Sequence, residues 1–305
     1  MPFASAEDLS GSRSPFQTKR ENEWPLVLCG AYLDGSHEKP GFAIAGYSAA
    51  MDTWCHLDCH WQELLNRWNL KYFNASECEN GLAEFAQYRD DPTDPKSRLK
   101  PHERERLRKA KIDFIDAICA RHHVFQAYGA AIVTEDFERM IAEDPGAPTI
   151  FLDQPYYLGA QWCLVTAAML VRDVNTRRSG NDKIEVRPIF GAREECAGIA
   201  KTVFDSFATR NPRSAEVLSP PQYDDDRTNS WLQVADTLAY EIGKQLLRKT
   251  KTPSDDYMRV PLRSLLPAIH RVFRLNGENL KETISNHLPD SVPIAHLLPA
   301  ELWQG

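Results

Sequence analysis

The sequence has no long apolar run, and this absence bounds the kind of protein it encodes. Among its 305 residues, no apolar stretch approaches the roughly 18–20 residues that a membrane-spanning helix needs. Residues 1–24 are polar and charged and contain no apolar segment typical of a secretory signal. We therefore expect a protein without a membrane partner, in which residues 1–24 form a flexible arm.

The sequence also lacks a regular cysteine spacing, a glycine-rich phosphate loop and an excess of basic charge. The seven cysteines are odd in number and show no repeated Cys-x-x-Cys spacing, which favours reduced thiols in a cytoplasmic protein over a disulfide framework. The chain contains neither a phosphate-binding glycine loop nor a nucleophile elbow. The net charge of −7 excludes a protein coated in basic surface, although a local basic groove could still bind nucleic acid.

Residues 26–34 form an apolar run that ends on a single carboxylate, Asp34, followed at once by a Gly-Ser turn. A run without charge until its last residue is typical of a central strand that is buried on both faces. Residues 41–49 are predicted to be its hairpin partner, and residues 53–57 a third, short strand. This arrangement places Asp34 at the edge of a sheet, where a site can be built.

The remaining periodicity predicts helices that alternate with strands. Helices are expected over residues 60–69, 102–121, 157–174, 194–209, 230–249 and 260–274, and strands over 124–133, 183–190 and 215–218. Residues 71–85 are predicted to be a loop, and residues 90–101 a linker. Asn229 or Ser230 should cap the helix over 230–249. We therefore predict an α/β fold in which residues 25–250 form a mixed sheet flanked by helices, and residues 251–305 a helical, proline-rich extension.

A second acid, Asp236, lies on the helix predicted over residues 230–249. Its apolar positions recur at helical spacing and form one stripe: Leu232, Ala235, Ala239, Ile242 and Leu246. Asp236 falls at the edge of that stripe, with Gln233 and Tyr240 about one turn to either side. A partly buried carboxylate is costly unless it meets a cation, a metal ion or hydrogen-bond donors. An ordinary ion pair with an arginine, or a bond from a backbone amide, would also satisfy it.

Three short motifs stand in order along the chain. They are Tyr-Leu-Asp-Gly-Ser at 32–36, Phe-Asn-Ala-Ser-Glu at 73–77 and Leu-Gln-Val-Ala-Asp at 232–236. Together they resemble the bacterial family filed under the label "domain of unknown function 3800". The usual pattern of that family is Asp-Glu-Ser-Gly after a strand, a middle Phe-His-x-x-Asp/Glu, and a late Leu-Gln-x-Ala-Asp on a helix. The resemblance spans roughly residues 26–249.

The resemblance implies a ribonuclease H-like fold and a metal-dependent nuclease that acts on RNA or DNA. It assigns catalytic acids to Asp34, Asp236 and Glu77, metal ligands to Asp34 and Asp236 with Glu194 or Glu195 in addition, and supporting roles to Ser36 and Gln233. The expected cofactor is Mg²⁺ or Mn²⁺, because hard cations take carboxylate oxygens and leave room for water and phosphate. Such ions can activate water and stabilise the leaving oxygen of a phosphodiester.

The chain departs from the family pattern at three positions. Gly35 stands where the family usually has Glu, Asn74 where His is common, and Gly191 where many members carry an acid. Fewer carboxylates should weaken metal binding. The alternative is therefore a catalytically degenerate relative that acts as a nucleic-acid-binding or protein-binding subunit. An enzyme that acts on a small molecule through an unrelated pair of acids is a third possibility.

Two further sets of residues have an ordinary explanation beside a functional one. Lys244, Arg248 and Lys249 could flank a nucleic-acid groove, but cations also favour the C-terminal end of any helix. The Cys-His-Leu-Asp-Cys-His run at 55–60 has the residue types of a zinc site, but its spacing is not that of a standard knuckle. Ordinary helix residues explain that run better.

Overall fold

Six strands form a mixed sheet in the order β5-β4-β1-β2-β3-β6. They are β1 (Glu23–Gly35), β2 (Glu38–Ser48), β3 (Gln126–Ile132), β4 (Glu185–Gly191), β5 (Gln222–Asp224) and β6 (Ile269–Leu275). The computed structural model describes residues 23–35, 38–95, 97–121, 124–143, 155–177, 183–191, 202, 204–209, 212–251, 259–265 and 269–275.

The strand directions confirm the predicted mixed sheet. β1 and β2 form an antiparallel hairpin in which Leu33 pairs with Gly41, as expected for residues 26–34 and 41–49. β3 lies antiparallel to β2. β4 runs parallel to β1 on its other side, and β5 runs parallel to β4. β6 is parallel to β3, so the segment after residue 250 contributes a strand to the same sheet.

Helices cover both faces of the sheet, as expected for an α/β protein. They are α1 (Met51–Arg67), α2 (Ala75–Asn80), α3 (Pro101–Cys119), α4 (Thr134–Glu143), α5 (Pro155–Arg177), α6 (Ser230–Lys251) and α7 (Val260–Leu265), with a 3-10 helix at Ala83–Tyr88 and a helical turn at Pro212–Ala215. Buried side chains of α1, α3 and α6 form one apolar cluster with odd-numbered residues of β2 and β3. Side chains of α4 and α5 form a second cluster with even-numbered residues of those strands. In the described part of the chain, no helix has both the length and the apolar character needed to cross a membrane.

Small residues let the helices approach the sheet closely. A Cβ added at Gly41 would lie 2.5 Å from Leu246 Cδ2 of α6, and one added at Gly159 of α5 would lie 2.3 Å from Ile44 Cγ2. Ala43 and Ala45 of β2 are fully buried on the α6 side. α6 is therefore a central helix, and its residues from Ser230 to Gly243 are buried.

The strand predicted over residues 53–57 is wrong, because these residues belong to α1. Trp54, Leu57, Trp61 and Leu64 are all buried along one side of that helix. The helix predicted from residue 60 onwards thus starts about two and a half turns earlier, at Met51, and its period overrides the short apolar run.

The loop predicted over residues 71–85 is partly wrong. It contains α2, capped at its start by Asn74 and closed by Gly81 in the left-handed conformation at φ 62°. The 3-10 helix Ala83–Tyr88 follows. Helices of about six residues are too short to show an apolar period, but the Asn and Gly that bound α2 are standard helix-end signals.

Two predictions in the second half of the chain also need correction, and one helix in the first half, α4, was missed. The strand predicted over 215–218 is wrong: the edge strand is β5, and Leu218 forms a single bridge with Val186. The helix predicted over 260–274 ends at Leu265, after which β6 begins at Ile269. Much of the helix predicted over 194–209 lies outside the described residues, and residues 204–209 are helical.

Candidate functional site

The site begins with the cap that starts α6. The side chain of Asn229 accepts the backbone N–H groups of Trp231 at 2.9 Å and of Leu232 at 3.3 Å. This is the predicted capping role of Asn229. The cap fixes the start of a buried helix in which Gln233 is 2% and Asp236 is 4% exposed.

Hydrogen bonds join the middle motif to the late motif. Gln233 Oε1 accepts the backbone N–H of Phe73 at 3.0 Å and the indole N–H of Trp61 at 2.9 Å. One turn further along α6, Asp236 Oδ2 accepts a hydrogen bond from Asn74 Nδ2 at 3.1 Å. The segments 73–77 and 232–236 are far apart in sequence, and the structure brings them together.

Asn74 serves both segments with one amide group. Its oxygen accepts the backbone N–H of Glu77 at 2.9 Å and so caps α2. Its nitrogen donates to Asp236. The cap therefore orients the amide toward Asp236 and places α2, with Glu77, beside the buried carboxylate.

Tyr72 lies next to Glu77. Burial, together with the neighbouring Glu77 carboxylate and its negative charge, raises the pKa of Tyr72 to about 12. Tyr72 therefore stays protonated at neutral pH, with its hydroxyl beside the acid of α2.

Asp34 lies at the end of β1, but its side chain, like those of residues 23–40, is outside the described part of the structure. Its neighbour Leu33 pairs with Gly41, and Gly41 packs against Leu246 of α6. Leu246 lies about 15 Å along the helix axis beyond Asp236. The pairing of Asp34 with Asp236 therefore stays a prediction, and the described contacts of Asp236 link it to the middle motif.

Three other predicted site residues, Ser36, Glu194 and Glu195, lie outside the described residues.

Some of the residues at the end of α6 that were predicted to contact nucleic acid also pack locally. Lys244 is half-buried, and its Nζ lies 5.2 Å from the centre of the Tyr240 ring. Arg248 is also half-buried, and the side chain of Lys249 is outside the described part. Contact between these residues and nucleic acid stays a prediction.

A buried ionic network next to the site was not predicted. Lys111 of α3 pairs with Glu79 of α2 at 2.7 Å and with Glu241 of α6. Arg259, just before α7, pairs with Glu241 at 2.9 Å and with Glu79 at 2.7 Å. The Glu241 side chain is fully buried. Lys111 stands in a basic stretch that is typical of a solvated helix, so the pattern offered no signal of its burial.

Opposite charges set the ionisation of this network. Burial would raise the pKa of Glu79, but Lys111 and Arg259 outweigh it and hold that pKa below its ordinary value. Burial would likewise lower the pKa of Arg259, but its bonds to Glu241 and Glu79 hold it above the ordinary value. The opposite charges thus favour the ionised forms of Glu79 and Arg259, and the four side chains tie α2, α3, α6 and the start of α7 together.

A second acidic group, Asp90, His102 and Glu103, has possible metal-ligand atoms within 4.8 Å of one another. Glu103 Oε1 accepts the backbone N–H of Asp90 at 2.6 Å. Asp90 itself pairs with Lys100 and, at 2.9 Å, with His102. These bonds lower the pKa of Asp90 to about 2. These hydrogen bonds and ion pairs close the start of α3. They account for the position of the three side chains without a metal ion.

In comparisons with known proteins, no family model, no curated protein and no solved structure matches this chain. The family resemblance therefore rests on the three motifs of the sequence.

Proposed function

We propose that this protein is a divalent-metal-dependent nuclease with a ribonuclease H-like fold that hydrolyses phosphodiester bonds in RNA or DNA. The observation that carries the proposal is the hydrogen bond between Asn74 and Asp236, which unites two of the three motifs in one site. The sheet supports the fold assignment, because an antiparallel β1–β2–β3 meander is followed by a parallel β4 beside β1.

The donor set fits Mg²⁺ or Mn²⁺. Asp236 and Glu77 offer carboxylate oxygens, the ligands that hard cations prefer. A carboxylate that binds a metal is usually oriented by a hydrogen bond of its own, and Asn74 supplies that bond to Asp236. Asp34, with Glu194 or Glu195, would complete the ligand set. When bound, such ions activate water for attack and stabilise the leaving oxygen.

The chain's own residues hold the segments that carry the acids. Gln233 holds the backbone of Phe73 and the indole of Trp61 at once, so the middle motif cannot shift along α6. The stacked rings of Phe73 and Phe114 lie with their centroids 4.1 Å apart beneath that segment. Asp236 is thus held in a rigid, apolar wall with its carboxylate next to α2.

Cleavage assays on labelled RNA and DNA with Mg²⁺ or Mn²⁺ test the proposal. We expect Asp236→Asn to lower the rate by about 100-fold, because loss of a metal ligand or of its orientation costs about 10- to 100-fold or more. Glu77→Gln and Asp34→Asn should also lower it, and the Asp34 variant reports whether β1 contributes. Glu105→Gln, an exposed acid on α3, is the matched control. Equal rates for wild type and Asp236→Asn, or a wild type without cleavage, would refute the catalytic proposal.

The second candidate is a degenerate relative that binds nucleic acid or a protein partner. The same hydrogen bond favours it, because an amide that satisfies a buried carboxylate reduces the need for a cation. Such a protein should bind its partner in EDTA and tolerate Asp34→Ala. Thermal melts separate the candidates: ions that bind the native state raise the melting temperature, so Mg²⁺ or Mn²⁺ should stabilise the wild type more than Asp236→Asn only if the site holds metal.

A further inference from the structure

Arg227 lies in the exposed loop that leads into α6. Its backbone is held at both ends: its N–H donates to Asp225 Oδ1 at 2.9 Å, and its carbonyl oxygen lies 3.5 Å from Gln233 Nε2. Its guanidinium carbon lies 5.7 Å from the centre of the Tyr72 ring. The loop therefore directs a permanent positive charge onto an aromatic face.

Tyr72 connects this charge to the acids of the site. The tyrosine ring supports Arg227, and the Tyr72 hydroxyl lies beside the Glu77 carboxylate, which helps to raise its pKa. Glu77 follows Asn74 on the cap of α2, and Asn74 bonds Asp236. Moving outward, the order is a buried acid, a half-buried acid, an aromatic ring and an exposed cation.

No carboxylate lies within ion-pair distance of the Arg227 guanidinium among the described residues, although Arg108, Arg139 and Arg177 each have such a partner. A guanidinium presents five N–H donors in a planar fork that matches two oxygens of a phosphate. An arginine that only balanced the charge of Glu77 would be expected to pair with it directly. This one instead rests on the ring that separates them.

We propose that Arg227 binds a backbone phosphate of a nucleic-acid strand at the rim of the Asp236 site, and that Tyr72 is the residue that positions it. The inference rests on the proposed function for its substrate class. It adds a subsite for substrate, which holds a phosphate next to the acids without taking part in the chemistry.

Fluorescence anisotropy with a short labelled single strand, as RNA and as DNA, tests the subsite in EDTA, where metal-dependent cleavage is absent. Loss of one phosphate contact lowers the slope of log K against log salt by about 0.7. At roughly 0.1 M salt this corresponds to about fivefold weaker binding by Arg227→Ala. Arg227→Lys, which keeps the charge, should recover most of the slope. Tyr72→Leu should weaken binding as Arg227→Ala does, whereas Tyr72→Phe, which keeps the ring, should bind almost as wild type.

Arg213→Ala is the matched control, because Arg213 is exposed on the helical turn Pro212–Ala215, and that turn contacts α5, which covers the face of the sheet opposite to α6. It should leave both affinity and slope unchanged. The subsite is overturned if the wild type does not bind, if Arg227→Ala and Arg213→Ala behave alike, or if inorganic phosphate competes as well as the unlabelled strand. Cleavage is scored separately with Mg²⁺ or Mn²⁺. Binding that depends on Arg227 without any cleavage would refute the catalytic proposal and leave the subsite standing.

Discussion

Removing the charge of Glu241 tests whether the buried ionic network holds the helical layer together. Glu241→Gln keeps the size of the side chain and removes its negative charge. Lys111 and Arg259 would then share one acid, Glu79, whose side chain is one-third exposed. The network would change from two acids and two bases to one acid and two bases, with a net positive charge in a buried place.

The cost follows from the burial of the partners. The Glu241 side chain is fully buried and that of Lys111 is 7% exposed. Breaking a buried pair by removing one partner costs about 3–5 kcal/mol, because the other charge is left uncompensated. Glu79 still faces both cations, so we expect the lower end, about 3 kcal/mol. For a chain of this size that corresponds to a melting temperature lower by about 5 °C.

Urea unfolding followed by the fluorescence of buried tryptophans, such as Trp54 and Trp61, measures the change. Glu105→Gln breaks a salt bridge of which both side chains are about two-thirds exposed, and it should leave the midpoint nearly unchanged. The double variant Lys111→Met with Glu241→Met should recover part of the lost stability, since apolar pairs often replace buried ion pairs without cost. A Glu241→Gln midpoint equal to that of the control would show that the network does not carry stability.

Three further predictions follow from other contacts. The pKa of Glu79 is lowered in the folded protein. The contribution of Glu79 to the free energy of unfolding is therefore present above its ordinary pKa of 4.5 and is lost as the pH falls below that value. In urea titrations, Glu79→Gln should flatten the loss of stability between about pH 5 and pH 3. Ultraviolet titration should find Tyr72 ionising near pH 12, and Glu77→Gln should lower that pKa toward 10. Gly159→Ala should destabilise by about 1–3 kcal/mol, because the new methyl would lie 2.3 Å from the Cγ2 methyl of Ile44, whose branched side chain has few other rotamers.

Strong periodicity predicted the scaffold well. Seven elements begin and end within a few residues of their predicted bounds: the strands β1, β2, β3 and β4 and the helices α3, α5 and α6. Each has a long apolar run or a sustained helical stripe, and such patterns reflect burial directly. The wrong predictions concern segments whose apolar pattern is short or fits both a strand and a helix. A stretch of five residues at 53–57 fits a strand or one turn and a half of helix, and only the continuation through Trp61 and Leu64 decides it.

The candidate site could be predicted only in part, because its contacts are not local. Asp236 was identified as a buried carboxylate that needs a partner, and the structure supplies one. That the partner is Asn74 follows from how α2 folds back on α6, and the region of Asn74 was predicted to be a loop. The same reason hid the ion pairs of Glu241, whose partners Lys111 and Arg259 come from two other segments. Periodicity reports which face of a helix is buried and leaves the identity of its neighbour open.

Asn74 bears most directly on the two functional candidates. Its oxygen faces the first turn of α2 and its nitrogen faces Asp236. For Asn74 to bind a cation itself, the amide would have to rotate and give up both bonds, at a net cost of about 1 kcal/mol each. That cost corresponds to about a 30-fold loss of affinity. A metal at this site must therefore rely on carboxylates such as Asp236 and Glu77, with Asn74 as the spacer between their segments. Under the proposed function, an Asn at position 74 should therefore weaken metal binding without removing the site. The metal concentration needed for half-maximal cleavage is then a sharper test than cleavage at saturating metal.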